Sequence, residues 1–445
     1  MTAQTIYALS SAPGRAGVAV IRLSGPQAAE ALLALTGREV PKPRVASLRR
    51  LKDADGALID EALVLWFERP HSFTGEDVAE LHVHGGRAVL AALFERLAQL
   101  PGLRLAEPGE FSRRAFEHGR FDLTQAEALG DLINAETEAQ RKQALRQMQG
   151  ALADLYEGWR AKLVHALAHL EADIDFPDED LPEGVAAEVK PQIARLREEI
   201  AGHLADNRRG ERLRDGLMVA ILGAPNVGKS SLLNALARRE AAIVSDIPGT
   251  TRDIIEVHLD LGGYPVLLAD TAGLRETADQ IESEGVKRAL KRAEAADLKL
   301  VVLDATRLQG ALPPETLALI DDNAIVVANK VDAGSLPQGY AINGRPVLPL
   351  SVKSGAGMKE LLAMLEQEVV ARIGLTGSAT LTRARHREAL IECVAALDRF
   401  LAGGVDAELA AEDVRLAARA LGRITGRIDV EDLLDVIFRD FCIGK

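Results

Sequence analysis

The sequence predicts a multidomain chain: an N-terminal α+β domain, a helical bundle built from two separate segments, and a P-loop α/β domain inserted between those segments. Three observations carry this. Residues 216 to about 372 alternate short apolar runs with helical periodicity, which is the pattern of an α/β sheet. That region opens on Gly223-Ala-Pro-Asn-Val-Gly-Lys-Ser-Ser231, a G-x-x-x-x-G-K-S loop with a strand-like run before it and a helical face behind it. Long stretches rich in Ala, Leu, Glu, Gln and Arg at helical spacing stand both before and after the region. Because a domain's termini usually lie close together, one domain can be inserted into another. The expected divisions are 1–111, 112–214, 215–375 and 376–445.

In the first segment, Thr5–Ser10, Gly17–Leu23, Leu58–Phe67 and Asp77–Val83 are strand-like. Pro26–Leu35 is helical with proline in the first turn, and Arg87–Leu100 is an amphipathic helix stopped by Pro101-Gly102. His82 and His84 share a strand face and can ligate a metal, but no third ligand stands at useful spacing, so a solvated or packed face is expected. From Ser112 the stripe Leu123, Ala126, Leu129, Ile133 and the later set Leu163, Leu167, Leu170 mark packed helices. Glu171–Glu183, with seven acidic residues and no basic one, is expected to be a solvated loop. Strands are expected at Leu217–Leu222, Ile254–Leu261, Tyr264–Ala269, Lys299–Leu303, Ile325–Ala328 and Val347–Leu350, with a tight hairpin at Gly262-Gly263. Helices resume at Arg383–Leu401, Ala407–Leu421 and Val430–Phe438.

A net charge of −13 excludes a chain that is basic overall, though not a local nucleic-acid surface. The two cysteines, Cys393 and Cys442, imply no disulfide framework and fit a reducing cytoplasm. No apolar run reaches the roughly 18 residues of a membrane span, so no membrane partner is expected.

The chemistry concentrates in the inserted domain. Glycines let the loop backbone wrap phosphates, so its N–H groups and the following helix N-terminus meet negative charge. Asn226, Val227, Gly228, Lys229, Ser230 and Ser231 form the core of that loop; Lys229 reaches the β/γ-phosphates and Ser230 a Mg²⁺ ion. Four further signals follow in the order a GTPase requires. Ser245, Asp246, Ile247, Pro248, Gly249, Thr250 and Thr251 lead to Arg252-Asp253 and form a switch whose threonine can close on Mg²⁺. Asp270, Thr271, Ala272 and Gly273 can hold the metal through water and offer an N–H to the γ-phosphate. In Asn329-Lys330-Val331-Asp332, the Asp332 carboxylate can accept both guanine N1–H and N2–H₂, a donor pair adenine lacks, and Asn329 can meet the O6/N7 edge. Ser351, Val352 and Lys353 can buttress the base. Ligands bind at the carboxyl ends of strands in such sheets, so this reads as a Ras-like guanine-nucleotide domain.

Hydrolysis departs from the Ras template. A Ras-like enzyme orients its water with a glutamine just after D-x-x-G, where this chain has Leu274. Glu282 is the nearest downstream substitute, with Glu276 and Glu284 as rivals. Charge stabilisation needs a cation; Asn226 with the Ser245–Thr250 backbone can complete an oxygen cage for a monovalent one.

Taken together, these motifs resemble the MnmE (TrmE) family of tRNA-modification GTPases. The resemblance covers essentially the whole chain. It rests on Gly223–Ser231, Ser245–Asp253, Asp270–Arg275 and Ile281-Glu282, and outside the GTPase region on Pro13–Gly17, Ser72–Glu80, Glu110–Phe116, Asp122–Glu127 and Cys442-Ile-Gly-Lys445. The resemblance implies that the N-terminal domain is folate-binding-like, dimerises, and binds 5-formyl-tetrahydrofolate or a related folate near Arg22, Glu80, Arg120 and Lys445. The family commonly has lysine where Arg120 stands. It also implies a K⁺ ion held by Asn226, Ser245, Ile247 and Thr250, Mg²⁺ held by Ser230 and Thr251, Lys229 and Glu282 as catalytic residues, and a terminal tail folded onto the folate site. Cys442 in that tail is a candidate nucleophile or redox group. With an FAD-dependent partner, MnmG (GidA), the family installs an aminomethyl or carboxymethylaminomethyl group on C5 of the wobble uridine of certain tRNAs. A second class, a GTP-switched ribosome-assembly factor, requires an RNA-binding module, and the sequence has neither an RNP-type aromatic motif nor a basic tract. A third, a folate-dependent one-carbon transferase with a regulatory GTPase, differs in making the folate a donor.

Overall fold

The computed structural model describes residues 4–175, 185–238, 242–243, 256–270, 296–308, 312–374, 380–403 and 406–428, with Leu434, Ile437, Phe438, Phe441 and Gly444. In chain order the strands are β1 (Thr5–Leu9), β2 (Ala19–Ser24), β3 (Ser47–Lys52), β4 (Leu58–Phe67), β5 (Val78–Val83), β6 (Leu103–Leu105), β7 (Leu217–Leu222), β8 (Ala242–Ile243), β9 (Glu256–Leu261), β10 (Tyr264–Asp270), β11 (Leu298–Asp304), β12 (Ala324–Asn329), β13 (Ala341–Ile342) and β14 (Arg345–Pro349). The helices are α1 (Ala28–Thr36), α2 (Arg87–Ala98), α3 (Glu110–Glu117), α4 (Leu123–Ile133), α5 (Glu138–Met148), α6 (Ala151–Asp175), α7 (Val185–Leu204), α8 (Arg209–Asp215), α9 (Lys229–Ala237), α10 (Pro314–Ala318), α11 (Met358–Ile373), α12 (Ala384–Ala402) and α13 (Ala407–Thr425). They form two compact units, one of residues 1–130, 148–164 and 418–445, the other of 131–147 and 165–417.

The first unit holds a six-stranded sheet in the order β3-β4-β5-β2-β1-β6, antiparallel except for the β1–β6 pair. Strand alternation sends Ile21, Leu23, Val64, Trp66 and Leu81 to one face, where they bury against Leu32 and Leu35 of α1 and Leu93 and Leu97 of α2. The opposite parity, Ile6 and Ala8, packs on Phe111 of α3. Near the chain end, Phe438 joins Leu123 and Ala126 of α4 in a small apolar cluster.

The second unit contains the eight-stranded sheet β13-β14-β12-β11-β7-β10-β9-β8. Strands β14, β12, β11, β7 and β10 run parallel, while β9, β8 and β13 are antiparallel additions at the two edges. All six residues of β12 are buried, as parallel strands covered on both faces require. Gly262 and Gly263 both have positive φ, 60° and 86°, so the β9–β10 hairpin is the two-residue turn expected of them. Helices α7 and α12 pack together and are linked by the Arg197–Asp398 ion pair.

Several elements differ from expectation. Strand β3, Ser-Leu-Arg-Arg-Leu-Lys, is not expected from a segment so basic; it is an edge strand on which Leu48, Arg50 and Lys52 are exposed, Arg49 is half-buried and Leu51 is buried. Strands β6, β8 and β13 are two or three residues long, too short to show a period. Helix α6 runs through Asp175, so the acidic segment begins inside a helix rather than in a loop. Carboxylates near a helix C-terminus oppose its dipole, and here Arg415 offsets one of them, pairing with Glu171 at 2.7 Å. The expected helix Val430–Phe438 lies mostly outside the described residues, as do residues 176–184. No described helix is long and apolar enough to cross a membrane.

Candidate functional site

The P-loop joins β7 to α9. Gly223 has φ 144° and Gly228 φ 103°, and Asn226 itself is left-handed at φ 63°. Gly228 has no room for a side chain: a Cβ there would collide with Asn329 Nδ2. Lys229, the first residue of α9, is buried, and its ammonium donates to the carbonyls of Gly223 and Ala224, both at 2.9 Å. The loop therefore carries a fixed positive charge inside its curve, directly before a helix N-terminus. That arrangement attracts phosphate.

The other motifs end neighbouring parallel strands. Asn329 closes β12, and its buried amide donates to Val227 O at 2.8 Å while its Oδ1 accepts from Val352 N at 3.1 Å. Lys330, left-handed at φ 69°, sends its ammonium to Asn226 O at 2.8 Å and to Asp304 Oδ2 at 2.7 Å. Asp304 ends β11, and Thr306 also donates to it through both hydroxyl and backbone N–H. Burial pushes the Asp304 carboxyl up, but the Lys330 ammonium and the Thr306 donors outweigh this and hold it below the ordinary carboxylate range. Ser351 donates to Asp332 Oδ1 at 2.7 Å, and that bond holds the exposed Asp332 carboxyl ionised, below its ordinary value. An ionised Asp332 is an acceptor only, which suits an edge carrying two donors.

These residues share one cavity of about 670 Å³, lined by Asn226, Lys229, Ser230, Asn329, Asp332 and Lys353 among others. The volume is that of a small-ligand site. A phosphate-attracting end and an end with a carboxylate acceptor are thus joined by a continuous wall. Of the residues expected here, Ser245, Asp246, Ile247, Pro248, Gly249, Thr250, Thr251, Thr271, Ala272, Gly273 and Glu282 lie outside the described residues, as does the Asp270 side chain. The backbone of Asp270 is described: it ends β10 in register with Ile221 of β7. Asp304 was not foreseen. The usable signal was its place at a strand end followed by Thr306, an aspartate–turn pattern.

In the first unit Arg22 faces Glu80 across the β2–β5 pair, and its Nε and Nη2 both reach Glu80 Oε1, at 3.0 and 2.9 Å. The guanidinium lies 5.1 Å from the Phe73 ring centroid and 5.7 Å from that of Phe111. His82 Nε2 is buried without a hydrogen bond, 3.7 Å from Glu80 Oε2, and His84 instead pairs with Asp60 at 2.8 Å. Arg120 is exposed and passes beside Gly75. Cys442 and Lys445 lie outside the described residues, but Gly444 does not: its carbonyl accepts from the Ser10 hydroxyl at 2.9 Å, at the end of β1. Ala8, two residues earlier on β1, is the cross-strand partner of Arg22. Arg22 between two aromatic rings, the Glu80 carboxylate and the buried His82 nitrogen thus gather donors, an acceptor and flat apolar faces in one place. Cys393 is buried, and burial pushes its thiol up to about 12, so it is inert at neutral pH.

Two family descriptions match the chain: "GTP-binding protein TrmE N-terminus" over residues 5–120 and "MnmE helical domain" over residues 123–442. Curated relatives named tRNA modification GTPase MnmE match end to end. The chain is 61% identical to that of Paramagnetospirillum magneticum over 442 residues, covering 99% of this chain and 100% of the relative. The protein of Parvibaculum lavamentivorans is 60% identical over 447 residues, with 99% and 100% covered. That of Rhodospirillum rubrum is 58% identical over 458 residues, with both chains covered completely. The chain belongs to the MnmE (TrmE) family of tRNA modification GTPases.

Proposed function

We propose that this chain is a GTP hydrolase of tRNA modification. The observation that carries the nucleotide reading is the Asn329 amide, which ties the phosphate loop to the base-reading strand end within one cavity. Lys229 and the backbone N–H groups of the loop bind and orient the phosphates. Asp332, kept ionised by Ser351, accepts from guanine, and Val352 and Lys353 flank the base. Ser230 with Thr251 would hold Mg²⁺, which neutralises phosphate charge when bound. Asn226, Ser245, Ile247 and Thr250 would hold K⁺; Asn226 lines the cavity mouth with its side chain exposed, which fits such a ligand. Glu282 takes over water orientation, because Leu274 cannot.

Hydrolysis then serves addition of an aminomethyl or carboxymethylaminomethyl group at C5 of the wobble uridine, with FAD supplied by an MnmG-type partner. The first unit binds a folate through Arg22 and Glu80, with Arg120 and Lys445 on its carboxylates; the bond from the Ser10 hydroxyl to the Gly444 carbonyl supports a tail that folds toward that site. The chain works as a homodimer in the cytoplasm. Its solvent-facing sheet surface supports self-association: Leu48 and Leu63 face each other across β3–β4 at 64% and 47% exposure.

Three outcomes follow. Asp332→Asn removes a charge-assisted acceptor, so GTP affinity falls roughly 10- to 150-fold, from about 1.5–3 kcal/mol, while xanthosine triphosphate, which presents a carbonyl in place of the N2 amine, gains; competition binding reads both, and unchanged GTP preference contradicts the base assignment. GTP turnover is faster in K⁺ than in Na⁺, and Asn226→Ala brings the ratio of the two rates near one. If wild-type rates are equal in both salts, the cation site is wrong. A strain lacking this chain accumulates tRNA without the C5 substituent by nucleoside mass spectrometry, whereas full modification in that strain removes the tRNA assignment.

A further inference from the structure

Outside the nucleotide and sheet sites, helix α6 carries two histidines one turn apart, His165 and His169. At i and i+4 their side chains leave the same face. Their Nε2 atoms are 3.1 Å apart, with the rings nearly perpendicular, at 81°, and their centroids 4.5 Å apart. His165 is exposed and His169 half-buried, so solvent ions reach both. None of the residues lining the nucleotide cavity lies on α6.

A 3.1 Å separation between two ring nitrogens has two uses. One ring can donate to the other as a hydrogen bond, which on an exposed helix face merely replaces a bond to water. Alternatively both lone pairs can meet one cation, and here the geometry discriminates. With metal–imidazole bonds of about 2.1 Å, a 3.1 Å spacing subtends about 95° at the metal. A tetrahedral centre, at about 109°, needs nitrogens about 3.4 Å apart. The observed bite is therefore that of two cis positions in an octahedral or tetragonal shell. Nitrogen-rich sites of that shape favour Ni²⁺ and Cu²⁺ over tetrahedral Zn²⁺.

We propose that His165 and His169 chelate a divalent transition metal of octahedral or tetragonal preference, Ni²⁺ or Cu²⁺, with water completing its coordination. The chelate closes a ring across one helical turn and so pins that part of α6.

The test uses the full-length chain saturated with Mg²⁺ and titrated calorimetrically with NiCl₂. Wild type binds one equivalent. His165→Gln and His169→Gln each weaken that binding at least tenfold, and His71→Gln, in an exposed loop, leaves it unchanged. Glutamine is at least as good a helix former as histidine, and unchanged helical circular dichroism confirms that the variants fold. With one equivalent of Cu²⁺, the electron paramagnetic resonance spectrum shows two equatorial imidazole nitrogens in wild type and no more than one in either α6 variant. Absence of Ni²⁺ binding by wild type, binding by either α6 variant as tight as that of wild type, or a copper spectrum indifferent to them overturns the proposal.

Discussion

The side-chain amide of Asn329 sits where three chain segments meet, and its two ends cannot be exchanged. Its nitrogen donates to the Val227 carbonyl and its oxygen accepts from the Val352 amide. Rotating the amide by half a turn would oppose oxygen to oxygen and nitrogen to N–H, leaving buried groups unpaired at a cost of about 1–3 kcal/mol each. The orientation is thereby fixed, and with it the distance between the phosphate loop and the loop after β14. Gly228 follows from the same contact, since the amide fills the space any side chain would need. Lys330 adds a second tie from the next residue, bridging the Asn226 carbonyl and the Asp304 carboxylate. A motif usually described as base-reading is here also the brace of the phosphate loop.

The sheet makes this possible. Strand order β14-β12-β11-β7-β10 sets the ends carrying Ser351, Asn329, Asp304, Gly223 and Asp270 side by side. Parallel strands buried on both faces leave little freedom for those ends to shift relative to one another. The loop's phosphate affinity and the carboxylate of Asp332 are then properties of one rigid rim. In the other unit a comparable economy holds: the Arg22–Glu80 pair is set by cross-strand register, and the aromatic rings of Phe73 and Phe111 limit where the guanidinium can lie.

Much of this was legible in the sequence, because the signals were local. Leu217–Leu222 is a strand with the bounds expected, and the hairpin glycines adopt the positive φ that their pairing demanded. The N-K-x-D and S-V-K motifs could be placed at strand ends. What the sequence did not display were side-chain partners distant along the chain. Nothing near Asp304 announces that Lys330 will pair with it, since that pair depends on β11 and β12 being neighbours. Strand β3 stayed hidden because half of its residues are basic and only Leu51 is fully buried. The α6 extension was missed for a related reason: its acidic end needs a cation that arrives from Arg415, far along the chain.

If Asn329 braces the phosphate loop as well as reading the base, its loss should be felt by a ligand that has no base. The direct measurement is the affinity of wild type and Asn329→Ala for Mg²⁺-tripolyphosphate, alongside GTP. Asn329→Ala is expected to weaken both, with tripolyphosphate affinity falling roughly tenfold, the order of one buried hydrogen bond lost from the loop. Unchanged tripolyphosphate binding together with weakened GTP binding would contradict it, and would confine Asn329 to the base.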